Sequence, residues 1–472
     1  MKVSDIFDES VLAKYNNAGP RYTSYPTAVS FHSDFTEDDF DMALRQNKDA
    51  SKGLSLYLHI PFCHSLCYYC GCNKLVTRNQ DKIDKYLDYL IQEIQLRSQQ
   101  LSDYCVDHIH FGGGTPSFLS ATQLAKLLIA IHQHYSLSTQ LEQSIEIDPR
   151  RIELSYIDEL FALNFTRLSI GVQDVNLAVQ EKINRVQDTQ FIVDLVQHAH
   201  YIGFDSVNID LIYGLPGQTF EGMQATLAQV ALMDPDRISL FSYAHMPQLF
   251  SAQRKIKDGD LPDAKQKLAL FRQATDHLVQ QGYQFIGMDH FAKPKDELSK
   301  ALENKSLGRN FQGYTTDTAG LLVGFGVSSI SNLGNAYSQN VKKLKDYYLA
   351  LDNIANKQKG NQASTQTDHK LIEKGVSLSH QDEIHRALIH QIMCNLYVDK
   401  LAFGREHNID FNTYFENNLA SLGPLEADNL LSNTEFSLTV HPRGRLLVRN
   451  ICMNFDAYLS SPAHQMRYSR VI

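Results

Sequence analysis

Between Leu54 and Tyr243 the chain repeats one pattern, a short β-type run followed by a longer amphipathic stretch. The runs are LSLYLHI (from Leu54), VDHIHF (from Val106), SIEID (from Ser144), RLSIGVQ (from Arg167), SVNIDLIY (from Ser206) and RISLFSY (from Arg237). Between them lie DKIDKYLDYLIQEIQLRSQQ, SATQLAKLLIAIHQHY, TQFIVDLVQHAHYIG and TFEGMQATLAQVALM, which have helical periodicity. Such repetition implies an α/β fold with parallel strands and right-handed crossovers. A seventh strand is expected in YQFIGMDHF, from Tyr283.

Alternate side chains of a strand face opposite ways. Leu56, Leu58 and Ile60 therefore oppose Tyr57 and His59, and Ile145 and Ile147 oppose Glu146 and Asp148. Leu168, Ile170 and Val172 oppose Ser169, Gly171 and Gln173, while Val207, Ile209 and Leu211 oppose Asn208 and Asp210. Each strand is apolar toward the helices and polar on its other side. A closed eight-stranded barrel fills its interior with apolar layers. Six βα units with a polar interior fit an open, three-quarter βα barrel around a solvated, ligand-filled cavity.

Three units are expected: an N-terminal lid or extension (1–50), the partial barrel (51–355) and a helical C-terminal domain with a hairpin (356–472). GPRYTSYPT (from Gly19) suits an ordered surface or lid segment. KQKGNQASTQTDHK reads as a linker, QDEIHRALIHQIMCNL as a helix, and FSLTV, HPRGR, LLVRNI as a wing-like hairpin. The net charge of −9 argues against binding nucleic acid or anionic membrane through a basic patch. The N-terminus lacks a signal-like apolar region, and no run reaches the roughly 18 apolar residues of a membrane span. A cytoplasmic protein is expected.

Four of the seven cysteines, Cys63, Cys67, Cys70 and Cys72, fall in CHSLCYYCGC just after the first strand. That clustering indicates metal chemistry rather than disulfides, and Cys105, Cys394 and Cys452 are expected to be ordinary buried residues. Three thiolates can hold three irons of a [4Fe–4S] cluster and leave the fourth open. A structural zinc site and a closed electron-transfer cluster, with Cys72 as fourth ligand, compete with this. No second Cys/His pair at zinc-site spacing is evident.

The spacing Cys63-x-x-x-Cys67-x-x-Cys70 and the turn GGGTP (Gly112 to Pro116) resemble the radical S-adenosylmethionine (SAM) superfamily. RYTSYPT, YLHIPFC, CGC, HFGGGTP, SIEIDP, RLSIGVQD, LIYGLPGQT and GRNFQGYTT together resemble oxygen-independent coproporphyrinogen III oxidases, over nearly the whole chain. The resemblance implies a radical-SAM-type partial barrel, a winged-helix-like C-terminal domain, a [4Fe–4S] cluster on Cys63, Cys67 and Cys70, and two SAM. It places Tyr57, Gly113, Gly114, Thr115 and Glu146 at the cluster-bound SAM, with Ala244 and Ile330 at its adenine side. Tyr69, Gln173, Arg185 and Asp210 fall at the second SAM. Arg185 would otherwise read as a surface ion pair, and both tyrosines as barrel packing. His59, Cys72, Phe311 and Gln312 are candidates on the substrate side, with Cys72 outside the cluster.

The activity implied is decarboxylation of two propionates of coproporphyrinogen III to vinyl groups, giving protoporphyrinogen IX. One SAM per propionate is split to methionine and a 5′-deoxyadenosyl radical, which takes a hydrogen from the propionate β-carbon. An electron donor and an acceptor are required, both unidentified, and a monomer is expected. An acidic chain must bind four carboxylates through local cations, for which Arg21 and Arg309 are candidates. A related haem-binding chaperone is the competing function. Such relatives usually lack the Cys72 position and RYTSYPT and carry HNxxYW, whereas this chain has both features and no tryptophan.

Overall fold

A computed structural model describes residues 3–47, 53–317, 320–358, 370–459 and 468. All six β-type runs are strands: β1 (Leu54–Ile60), β2 (Cys105–Gly113), β3 (Ser136–Ile147), β4 (Arg167–Gln173), β5 (Ser206–Tyr213) and β6 (Arg237–Ser242). Consecutive strands pair in parallel. The helices Gln80–Ser98, Ala121–His134, Thr189–Ile202 and Phe220–Met233 lie in the connections as their periodicity predicts. Their starts are fixed locally: Asn79 accepts from the Lys82 amide, and Ser120 and Gln123 form a reciprocal capping box. Leu56, Leu58, Ile60, Ile145, Ile170, Val207 and Ile209 are buried on the helix-facing side, each contributing about 1.5–3 kcal/mol.

The sheet is larger than expected. It also contains β7 (Gln284–Gly287), β8 (His290–Ala292), β9 (Leu321–Phe325), β10 (Ile330–Asn332), β11 (Ala336–Asn340) and β12 (Ile372–Ser377). Its order is β12-β11-β10-β9-β1-β2-β3-β4-β5-β6-β8-β7, a mixed sheet in which no closed barrel forms. The run from Tyr283 is not a seventh parallel strand. Met288, at φ 47°, turns the chain back, and the run becomes the antiparallel pair β7–β8. The seventh parallel strand is β9, on the far side of β1. Its LLVGF is continuously apolar, and periodicity cannot assign such a run.

The helix His380–Asn395 forms as expected, but the terminal hairpin does not. Ser437–Val440 pairs with Leu431–Asn433 and Tyr397–Asp399, whereas Pro442–Leu447 is a 3-10 turn and Val448–Met453 is helical. Residues 446–452 are buried on every side, so LLVRNI has no amphipathic period to mark it as helical. The linker from Lys357 lies mostly outside the described residues. Beyond it, β12 joins the large sheet although it lies past residue 355. Cys394 and Cys452 are buried, but Cys105 opens β2 half-exposed.

Gly19–Thr27 has no helix or strand, yet Tyr22 and Tyr25 are buried rather than at the surface. The N-terminal region is fastened to the C-terminal one: the Tyr22 hydroxyl donates to Asp456 at 3.0 Å, and Asn450 donates to the Tyr15 carbonyl at 2.9 Å. Asp8 pairs with Arg443. Among the described residues no helix is long and apolar enough to cross a membrane.

One buried carboxylate ties the helix Gln80–Ser98 to β9–β11. Glu93, 1% exposed, accepts from the Tyr347 hydroxyl at 2.6 Å, the Gly326 amide at 2.7 Å and Asn340 Nδ2 at 2.7 Å. Glu93→Ala strands three buried donors and should destabilise the protein by about 3 kcal/mol. Thermal melting followed by circular dichroism checks this, and an unchanged melting temperature would contradict it.

Candidate active site

The pleat brings the polar residues of neighbouring strands into one interior. Tyr57 and His59 on β1 meet β2 through the register Tyr57↔His110 and His59↔Gly112. The Tyr57 and His110 rings stack at 5.9 Å, and the Tyr57 hydroxyl lies 3.1 Å from His59 Nδ1. His59 Nε2 sits 3.1 Å from the Asn73 carbonyl, and burial lowers its pKa. Burial also pushes the Tyr57 phenol well up, so both groups are neutral hydrogen-bonding partners at ordinary pH.

Glu146 has the polar partners that its position demands. The Gly113 amide donates to its carboxylate at 3.1 Å, and His110 Nε2 lies at 3.6 Å. His110 Nδ1 is 2.7 Å from Ser144 Oγ. Gly113 has φ 120°, and a Cβ there would fall 2.7 Å from the His59 ring, so only glycine fits. The Gly114 amide closes the turn onto the Ile60 carbonyl at 2.8 Å. His110 was not among the sequence candidates. It shares its strand face with His108, and that polar alternation in VDHIHF was the signal.

The cysteine loop leaves the C-terminal end of β1, where α/β folds place ligands. Cys63 and Cys67 are buried, Cys70 is half-buried and Cys72 is exposed. Thr115 Oγ1 donates to Cys63 Sγ at 3.3 Å, while burial pushes the Cys63 thiol up to about 11. The Cys72 thiol interacts with Cys70 and lowers the Cys70 pKa to about 6. Lys74 Nζ donates to the Cys70 carbonyl at 3.0 Å. Arg150 Nη2 and Arg185 Nη1 approach Cys67 Sγ at 3.5 and 3.7 Å. Donors aimed at thiolate sulfurs suit an iron–sulfur cluster. Among the described residues no His/Cys/Asp/Glu group is arranged to hold a single metal ion, and thiolates on three separate irons need not converge on one point.

Arg185 is not a surface ion pair. It is 6% exposed, donates to the Gly171 carbonyl at 2.6 Å and lies 3.3 Å from Asp148. Gln173 ends β4 at φ 64°, beside a register shift. Asp210 accepts from Asn208 Nδ2 at 2.9 Å. Burial, and then the charge of Glu146, push its carboxyl up to about 7. Tyr69 packs near Val179, Ile212 and Tyr243, and Gln253 bridges its carbonyl to that of Ala244, at 2.9 and 3.2 Å. Ile330 adjoins the rim: Gly324 pairs with Tyr57, and a Cβ on Gly324 would meet the Ile330 carbonyl at 2.7 Å.

Phe311 packs against the same apolar cluster as Ile330, formed by Phe31, Tyr337 and Val376. Phe311 packs edge-on to Tyr337 at 6.0 Å, and the Gln312 amide donates to Asn310 at 2.9 Å. Phe311 and Arg309 line a cavity of about 670 Å³ with Tyr22, Arg386 and His390. Arg309 donates to the Arg21 carbonyl at 3.4 Å, and the Arg21 guanidinium is 3.7 Å from Asp289.

Residues 57–230 match the model of the radical SAM superfamily, and residues 378–447 match the HemN C-terminal domain. The chain is 48% identical over 473 residues to the oxygen-independent coproporphyrinogen III oxidase of Escherichia coli K12, covering 100% of both chains. It is 48% identical over 466 residues to the enzyme of that name in Salmonella typhimurium, covering 99% of this chain and 98% of the relative. The solved structure of E. coli HemN, described as a coproporphyrinogen III oxidase and radical SAM enzyme, superposes with a TM-score of 0.88 at 46% identity, covering 96% of this chain and 100% of that one.

Asp210 gives this interior a pH signature. Its folded pKa of about 7 lies above the ordinary 3.8, so the folded state holds a proton that the unfolded state has released. Stability contributed by Asp210 is therefore lost as pH rises from about 4 through about 7. Cofactor-free Asp210→Asn should gain on the unsubstituted protein between pH 5 and pH 8 by about 2–3 kcal/mol. Melting curves at the two pH values test this, and parallel pH profiles would contradict it.

Proposed function

This chain belongs to the oxygen-independent coproporphyrinogen III oxidase family of radical SAM enzymes, and we infer that it converts coproporphyrinogen III to protoporphyrinogen IX without oxygen. The observation that carries this is the family likeness over the full chain, joined to a cysteine loop that opens beside a polar barrel interior. Family membership brings a [4Fe–4S] cluster and SAM as cofactors. Cys63, Cys67 and Cys70 would hold the cluster. When bound, it supplies one-electron cleavage of SAM to methionine and a 5′-deoxyadenosyl radical.

The chain's own work is positioning and exclusion of water. Gly113, Gly114 and Thr115 would line the first SAM with Glu146, whose carboxylate suits its amino group. The Tyr57 ring, and the backbone at Ala244 and Ile330, would border its adenosine. Arg185, Gln173, Asp210 and Tyr69 would serve a second SAM, with the Arg185 guanidinium suited to a carboxylate. Each propionate loses a hydrogen atom, carbon dioxide and one electron to become a vinyl group, so two SAM are consumed per porphyrinogen.

His59 and Cys72 would stand toward the substrate, and Arg309, with Phe311 and Gln312 beside it, would meet its carboxylates. Arg21 would join Arg309 at those carboxylates, carried on an N-terminal segment that acts as a lid over the cavity. A low-potential one-electron donor and a separate acceptor complete the reaction. Seven cysteines joined by no disulfide suit a reducing compartment, in line with action in the cytoplasm, and the chain would act as a monomer.

The test is anaerobic incubation with dithionite, SAM and coproporphyrinogen III, analysed for 5′-deoxyadenosine and protoporphyrinogen. Both products should form. Cys63→Ser should abolish both with loss of iron, and Cys72→Ser should retain the iron. Haem binding without vinyl formation would replace an oxidase with a haem carrier, and loss of iron in Cys72→Ser would make Cys72 a ligand.

A further inference from the structure

The three cluster-loop cysteines have unequal electrostatic surroundings. Cys63 receives a neutral hydroxyl from Thr115, and Cys70 has the Cys72 thiol and one cation, the Lys74 ammonium, beside it. Cys67 receives two guanidiniums, at 3.5 Å from Arg150 and 3.7 Å from Arg185. Arg150 is held in place independently of any ligand. Its Nε donates to Asp148 Oδ1 at 2.9 Å, its Nη2 to Oδ2 at 2.6 Å, and its Nη1 to the Asn184 carbonyl at 3.4 Å. The side chains of Arg150, Arg185 and Asp148 are 13%, 7% and 14% exposed, so solvent screens them little. Arg185, followed by Arg150, keeps Asp148 ionised against the effect of burial. Two cations and one anion leave one net positive charge at a single sulfur.

We propose that Arg150 tunes the reduction potential of the iron–sulfur cluster, raising it through a charged hydrogen bond to Cys67, with Asp148 as the opposing charge that sets how far. The proposal rests on a cluster being bound at this loop. When one electron enters from a low-potential donor, the cluster becomes one charge more negative and its thiolates become better acceptors. A fixed cation at Cys67 stabilises that state more than the oxidised one, so the potential rises. Asp148 acts in the opposite sense while holding the fork in position. Arg185 reaches the same sulfur but is also bound to the β4 carbonyl and faces the second cofactor position. Arg150 has no such second task in this site, and its effect on potential can be read separately.

The experiment is an electron-paramagnetic-resonance redox titration of anaerobically reconstituted full-length protein without SAM, after iron and sulfide have been measured. Arg150→Gln should shift the midpoint negative by about tenfold in the reduced-to-oxidised ratio, or about 59 mV for one electron. Arg150→Lys, which keeps the charge and loses the fork, should shift it less. Asp148→Asn should shift it positive. A merely structural role for the pair predicts no shift, or shifts of one sign in Arg150→Gln and Asp148→Asn, and either result overturns the proposal. Unsubstituted protein that takes up no iron would instead overturn the assignment of the loop as a cluster site.

Discussion

A parallel strand must place every second side chain on the face away from its covering helix, and at Tyr57, His59, His110, Glu146, Asn208 and Asp210 those positions carry hydrogen-bonding or charged groups. The apolar positions saturate the contacts to the helices. The polar ones then face one another across a mixed sheet that does not close into a barrel. Such an interior is stable only where each polar group finds a partner. Tyr57, His59, His110, Ser144 and Glu146 satisfy one another in a chain across β1, β2 and β3. Asp210 is less well served: burial and then the charge of Glu146 raise its carboxyl to about 7 against the opposing pull of Asn208, Ser239 and Arg185. A bound cationic group would complete it, which is how a costly interior becomes a binding site.

The same economy governs the loops above the strands. Asp148, the last inward position after β3, reaches both Arg150 and Arg185 and through them the cysteine loop. Asp174, directly after Gln173, is 1% exposed and accepts from Gln218 at 2.6 Å, the Asn176 amide at 2.7 Å and Thr226 at 3.1 Å. That network holds the strand end where Gln173 adopts its left-handed backbone. Ligand-facing residues are thus positioned by buried carboxylates one shell behind them, each fully hydrogen-bonded and therefore rigid.

The alternation from Leu54 to Ser242 made six strands and the polar interior legible, because amphipathic periodicity is a local property. Three features were not legible for identifiable reasons. LLVGF in β9 has no polar face to reveal its period. The turn at Met288 converts one apparent strand into two. LLVRNI is buried on every side and so lacks the amphipathic period that would mark a helix. At the site, the cysteine spacing and inward carboxylates were readable directly. Arg185 lies in a loop, and its burial depends on contacts with Gly171 and Asp148 that are distant in sequence. The alternation in VDHIHF puts His110 on the polar face, but its meeting with Ser144 depends on the register between strands.

Held by Cys63, Cys67 and Cys70 alone, a bound cluster would leave one iron without a protein ligand and open to SAM. The most direct measurement is electron–nuclear double resonance of the reduced, reconstituted protein with SAM labelled in its methionine amino nitrogen and carboxylate oxygens. Hyperfine coupling from both labels, assigned to a single iron, is expected. Absence of coupling from either label, with protein sulfur bound at every iron, would contradict an iron open to SAM.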